Sequence, residues 1–224
     1  MREFLRVVLT LSEKDVRLEL RSKEALYSTL LFVVLTLFIL NFSFGSAAET
    51  VERLAPGILW VVISFAGTIA LSHLASRDRE DRVQEGILLS GVGGTAMFCA
   101  KFVSALVFLL LIELITVPLF VVFFNFDFGA TLPLFLSVLV LGTIGYAAVG
   151  TLFASLLSQT RLKELLLPVV FYPVIIPLLI AAVQATAKVL AGESARELLF
   201  MIGFDLILVT ASALLFEYVV EDPS

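Results

Sequence analysis

Few residues in this 224-residue chain could do chemistry. Glu113 lies near the middle of one long apolar stretch and Asp205 in the outer half of another. A charged carboxylate at the centre of a bilayer costs on the order of 2.5 to 3.5 kcal/mol on insertion scales, so neither acid is expected to face lipid. No Lys or Arg lies deep in any apolar stretch to neutralise them. Three options follow: a bound proton, hydrogen bonds to Ser, Thr or Tyr of other helices, or a wet cavity. A structural polar clamp and a translocation role fit these options equally.

The remaining candidates exclude more than they suggest. His73 is the only histidine, and the three Met residues form no cluster with it, so a haem or metal site lacks ligands. No Ser-His-Asp, Cys-His or paired-carboxylate arrangement can be built around it. Cys99, the single cysteine, forms no intrachain disulfide and reads as packing. The glycine cluster Gly91-Val92-Gly93-Gly94-Thr95 lacks the lysine of a phosphate-binding loop, and G-x-x-x-x-G-K-[ST] occurs nowhere. No catalytic, cofactor-binding or metal-ligating residue is therefore assigned, and any nucleotide is expected on another subunit.

The elements that must position these residues are six apolar stretches, at residues 25–44, 56–75, 97–124, 131–157, 165–187 and 198–219. Each can cross a hydrocarbon core of about 30 Å at about 1.5 Å per helical residue. Hydrophobic residues make up 60% of the chain and Phe occurs 20 times, more apolar surface than a soluble core of this size could hide. The fold class predicted is all-α, a polytopic membrane protein with six spans over residues 25–219, a segment 1–24 before them and a short tail 220–224. A net charge of -5 with no dense basic patch argues against nucleic acid.

Basic residues are sorted by loop. Arg2, Arg6, Lys14, Arg17, Arg21 and Lys23 precede the first span; Arg77, Arg79, Arg82 and Lys101 flank the second-to-third loop; Arg161 and Lys163 lie in the fourth-to-fifth loop. With alternating spans these share one side, against Arg53, Lys188 and Arg196 on the other, so the positive-inside rule places both termini in the cytoplasm. Ser46-Ala47-Ala48 offers a peptidase small residues. The preceding apolar run is too long for a signal peptide and follows a charged segment, so an uncleaved first span is expected.

Three features outside and within the spans carry further expectations. In the N-terminal segment Leu5, Leu9, Val16 and Leu20 fall within an arc of roughly 60° while Lys14, Arg17 and Arg21 gather on the far side, the pattern of an interfacial helix. Residues 76–86 are the most charged stretch after it; read as a short helix, Arg77 pairs with Asp81 and Asp78 with Arg82, each pair worth about 0.2 to 0.5 kcal/mol. That helix, with Glu80 and Glu85, and the exposed turn Arg161, Lys163, Glu164 offer two contact points to a soluble motor on the same side; a solvated connector is the bland alternative. Pro168, Pro173 and Pro177 should kink or break the fifth span. Thr143, Ala147, Thr151 and Ser155 recur every four residues on the fourth span, permitting close helix approach within the chain or across a homodimer.

Arg53-Leu54-Ala55-Pro56-Gly57-Ile58-Leu59-Trp60, the charged loop with Glu85, Leu141-Gly142-Thr143 and the proline-rich fifth span resemble the cytochrome c maturation protein B (CcmB) family of haem-exporter permeases. The Ala-Pro-Gly-x-x-Trp entry to the second span is the most specific part. The loop departs from the family, which often has Gly near Arg82 and Pro near Ser90 or Gly91. The resemblance implies an ABC-2-like permease of the bacterial inner membrane, present in two copies and contacting lipid. With an ATPase as partner, the charged cytoplasmic segments are read as a coupling helix and turn, with Arg77, Asp78, Arg79, Glu80, Arg82, Glu85, Arg161, Lys163 and Glu164 as the expected ATPase-coupling residues. The implied partners are the ATPase CcmA, which would bind ATP and Mg, together with CcmC, CcmD and the haem chaperone CcmE, which would handle haem. Against this stand two rivals: a proton-coupled secondary carrier using Glu113 and Asp205, and a non-transporting scaffold.

Overall fold

The computed structural model describes residues 2–44, 48–80, 93–125, 128–157, 163–193 and 196–221. Seven α-helices follow in order: α1 (Arg2–Ser22), α2 (Glu24–Phe44), α3 (Ala48–Glu80), α4 (Gly94–Phe124), α5 (Leu132–Leu157), α6 (Lys163–Leu190) and α7 (Glu197–Glu221), with a 3₁₀ turn at Gly129–Thr131 leading into α5. No strand occurs among the described residues. Six helices, α2 to α7, are long and apolar enough to span a membrane.

Specific side-chain contacts fix which ends lie together. Trp60 of α3 meets Thr186 of α6, and Thr68, two turns on, meets Tyr172, so α3 and α6 run antiparallel. Ser28 near the start of α2 lies 3.2 Å from the His73 ring near the end of α3, and Thr95 at the start of α4 donates to Glu217 near the end of α7 at 3.2 Å. At the opposite end the Asn41 amide donates to the Phe123 carbonyl, and Lys188 pairs with Glu197. One end therefore gathers the starts of α2, α4 and α6 with the ends of α3, α5 and α7; it is called the basic end below.

Helix α5 is the centre. Every residue from Gly145 to Ser155 except Phe153 is buried, and α3, α4, α6 and α7 all pack on it. Small side chains make this possible, because without Cβ atoms at selected positions neighbouring helices close in. A Cβ at Gly142 would run into the Trp60 ring, one at Gly150 into Leu71, and one at Gly145 into Leu178 and the Asp205 carboxyl. The stripe Thr143, Ala147, Thr151 and Ser155 is buried inside the chain, which decides between the two uses predicted for it. By contrast α2 buries only Ala25, Thr29, Val33 and Leu37, one row at i, i+4 spacing.

Of the kink or break expected in the fifth span, the break does not occur: α6 continues through Pro168, Pro173 and Pro177. Each proline removes one backbone donor, but fully buried Phe171, Ile175, Leu178 and Ala182 hold the helix in place by packing. The second span, read at residues 56–75, is found at Arg53–Leu74, inside a longer helix α3 that starts eight residues before Pro56 and runs on to Glu80. At about 1.5 Å per residue, its 33 residues extend roughly 50 Å, well beyond a hydrocarbon core.

Helix α1 spans most of the segment read as interfacial, and Lys23, in the left-handed region at φ 59°, is the single residue joining it to α2. Val8 packs on Ala96 and Ala100, and the Ser104 hydroxyl donates to the Ser12 carbonyl at 3.4 Å, so α1 lies against the first three turns of α4. The packed face carries Val8, Ser12 and Glu19. It borders the apolar arc, of which Leu5 and Leu9 stay 54% and 63% exposed.

Candidate functional site

Both intramembrane acids are buried, Glu113 at 3% and Asp205 at 4% exposure. The Thr143 hydroxyl donates to Glu113 Oε1 at 2.6 Å, a link between α4 and α5; Oε2 is buried without a partner. This is the hydroxyl-bonded arrangement among the three options the sequence allowed. Asp205 rests against Gly145, and neither of its oxygens has a hydrogen-bond partner of good geometry. Thr143 and Gly145 are two residues apart, about 200° around a helix, so the two acids sit on opposite faces of α5. They do not converge on one site.

A third polar group lies between α3, α5 and α6. The Tyr146 hydroxyl donates to the Ser64 carbonyl and lies 2.8 Å from Thr68 Oγ1, which is 3.1 Å from the Tyr172 hydroxyl and 2.9 Å from the same carbonyl. Three hydroxyl protons face four contacts, so at any moment one contact carries no proton. The Tyr146 ring can reach α3 because Gly67 has no Cβ; one there would lie 2.7 Å from the ring. Above this cluster the Trp60 indole donates to the Thr186 hydroxyl at 2.9 Å while its ring covers Gly142. Trp60 and Gly142 both belong to motifs visible in the sequence, but their contact is not. Tyr146, Tyr172, Thr68 and Thr186 escaped notice because hydroxyls in apolar helices give no pattern until the helices are paired.

Of the residues read as ATPase-coupling, six belong to described helix ends at the basic end. Arg77, Asp78, Arg79 and Glu80 form the last turn of α3 in backbone terms, continuous with the span; their side chains lie outside the described set. Arg82, Glu85 and Arg161 lie outside the described residues, as does the connecting segment in which a separate coupling helix was expected. Lys163 and Glu164 open α6, again with undescribed side chains. The antiparallel packing of α3 on α6 brings the end of one and the start of the other to the same end of the bundle, the end that also carries α1. His73 there contacts Ser28 across the ends of α2 and α3.

Buried acids and hydroxyls that join spans, with charged segments collected at one end, define a multi-pass α-helical membrane protein. A family profile described as CcmB protein matches residues 6–220, and the chain belongs to that family. It is 27% identical over 178 residues to Heme exporter protein B of Rhodobacter capsulatus, covering 80% of this chain and 81% of that one. Proteins of the same name are 28% identical over 182 residues in Bradyrhizobium diazoefficiens, with 81% and 82% covered, and 27% identical over 179 residues in Pseudomonas aeruginosa, with 80% of each covered.

Proposed function

We propose that this chain is the membrane permease subunit of an ABC-type haem-export system serving cytochrome c biogenesis, with ATP and Mg bound by a separate ATPase subunit, CcmA. It works with CcmC, CcmD and the haem chaperone CcmE, as two permease copies in the bacterial inner membrane with both termini cytoplasmic. The names of the relatives support the haem assignment. The observation that carries the coupling is that the last turn of α3 and the first turn of α6 lie at one end of an antiparallel pair. Residues 1–24 act as an interfacial segment beside the permease domain 25–219, and residues 220–224 as a cytoplasmic tail.

In this mechanism, nucleotide-driven closure of the ATPase dimer pushes on residues 77–86 and 161–164. Helix α3 is continuous from Glu80 to the Trp60 contact with α6, so a push on its end tilts the span as a rod. Such a switch requires contacts that differ between two states. The four-contact, three-proton hydroxyl group around Thr68 supplies one point at which they can change. Haem itself is the cargo of the system and is handled by partner subunits.

Purification of the tagged chain from native membranes in mild detergent tests the assignment. An ATPase subunit and haem-handling proteins should arrive with it. A combined Arg79→Ala, Arg82→Ala and Glu85→Ala variant should insert normally and lose ATPase capture or cytochrome c maturation. Normal maturation in that variant would overturn the coupling assignment.

A further inference from the structure

The Thr143 hydroxyl has one proton and two acceptors within reach, Glu113 Oε1 at 2.6 Å and the Leu139 carbonyl at 2.8 Å. With Glu113 ionised, Thr143 must choose between them. Turning to the carboxylate costs little at Leu139, but it still leaves Oε2 as part of a buried anion with no partner and essentially no surface that a water can touch. With a proton on Oε1, both contacts are made at once: Glu113 donates to Thr143 Oγ1, and Thr143 donates to the Leu139 carbonyl. Oε2 is then a neutral carbonyl oxygen, and an unmet neutral acceptor costs less than an unmet charge.

The helices packed on α4 supply no countercharge. Helix α5 brings only the Tyr146 phenol, α2 nothing titratable between Tyr27 and Phe44, and α3 nothing between Arg53 and His73. Helix α7 brings Asp205, on the opposite face of α5. Helix α1, with Glu13, Lys14, Asp15, Arg17 and Glu19, lies against the first three turns of α4, and these end nine residues short of Glu113. The nearest cation of α4 itself, Lys101, is twelve residues away, about 18 Å of helix. A carboxylate here would have neither a cation nor a second hydrogen bond to offset its burial at 3% exposure.

We propose that Glu113 is a proton-binding site: the carboxyl keeps its proton at neutral pH and donates it into a two-bond chain that runs from α4 through Thr143 to the backbone of α5. The ligand is a proton, and it ties two spans together without placing charge in the bilayer. This depends on neither haem nor an ATPase, so it stands or falls separately from the permease assignment.

The test is infrared difference spectroscopy of the full chain in liposomes at neutral pH. Subtracting the Glu113→Gln spectrum from that of the unmodified protein should leave a carboxylic-acid C=O stretch, on the high-frequency side of the amide band, with no loss of carboxylate stretches; Asp205 is common to both samples and cancels. The same subtraction in a Thr143→Val background should show the band moved to higher frequency, because the acid has lost its acceptor, whereas Thr143→Ser should leave it in place. Circular dichroism checks that each variant stays helical. Loss of carboxylate stretches in place of the acid band would overturn the proposal. An acid band that does not move in Thr143→Val would overturn the chain through Thr143.

Discussion

Helices α2 and α5 are both apolar and both long enough to cross a membrane, yet one buries a single row of side chains and the other nearly all of its second half. Helix α2 is built from Leu, Phe and Val, with Leu31, Phe38 and Phe42 directed outward. Helix α5 carries Gly142, Gly145 and Gly150 among Ala and Thr. Water cannot drive one apolar helix against another inside lipid, because the acyl chains are as apolar as leucine. Close backbone approach and interhelical hydrogen bonds decide which helix becomes the centre. The two helices are comparably apolar, and it is the one with small residues that takes the centre.

The sharpest way to break this contrast is to enlarge a glycine of α5. Gly142→Leu drives a side chain into the Trp60 ring, a large group already fixed by its bond to Thr186. A loss of about 3 kcal/mol or more is expected from overpacking, read by denaturant titration in bicelles. Thr143→Val is expected to cost less, about 1 to 2 kcal/mol, because it removes the only hydrogen bond made by Glu113 Oε1 in a buried site. If Glu113→Gln is combined with it, the two effects should not add, since both act on one contact. At the other extreme Leu31→Ala on the outward face of α2, 60% exposed, should change stability by less than about 0.5 kcal/mol. A large loss there would mean that α2 packs against another chain rather than lipid.

The same contrast explains what could be read from the sequence. Spans were legible because their length and composition are set by the bilayer, and the grouping of charged segments at one end followed from alternation. The small-residue row on α5 was legible as a site of close approach, but its partners depend on three-dimensional neighbours: Trp60 lies 82 residues from Gly142 in sequence, and Glu113 lies 30 from Thr143. Of the kink or break expected in α6, the break does not occur, because proline's local penalty is set against packing on α5, which no window of sequence contains. For α1 the sequence shows an apolar arc, but the helix packs on α4 through a neighbouring face containing Val8 and Ser12, where Val8 meets small Ala96 and Ala100. The acids were expected to avoid lipid, and both are buried in the bundle; their separation on opposite sides of α5 required the helix to be placed first.

Trp60 is the only tryptophan of the chain and is 2% exposed, hydrogen-bonded to α6 and lying on a glycine of α5. Ultraviolet fluorescence excited at the indole band thus originates from the junction of three spans and from nowhere else in the chain. The protein carries a native optical gauge: separation of α3 from α5 or α6 changes the indole's polarity and hydrogen bonding together, and the emission colour registers it without any label.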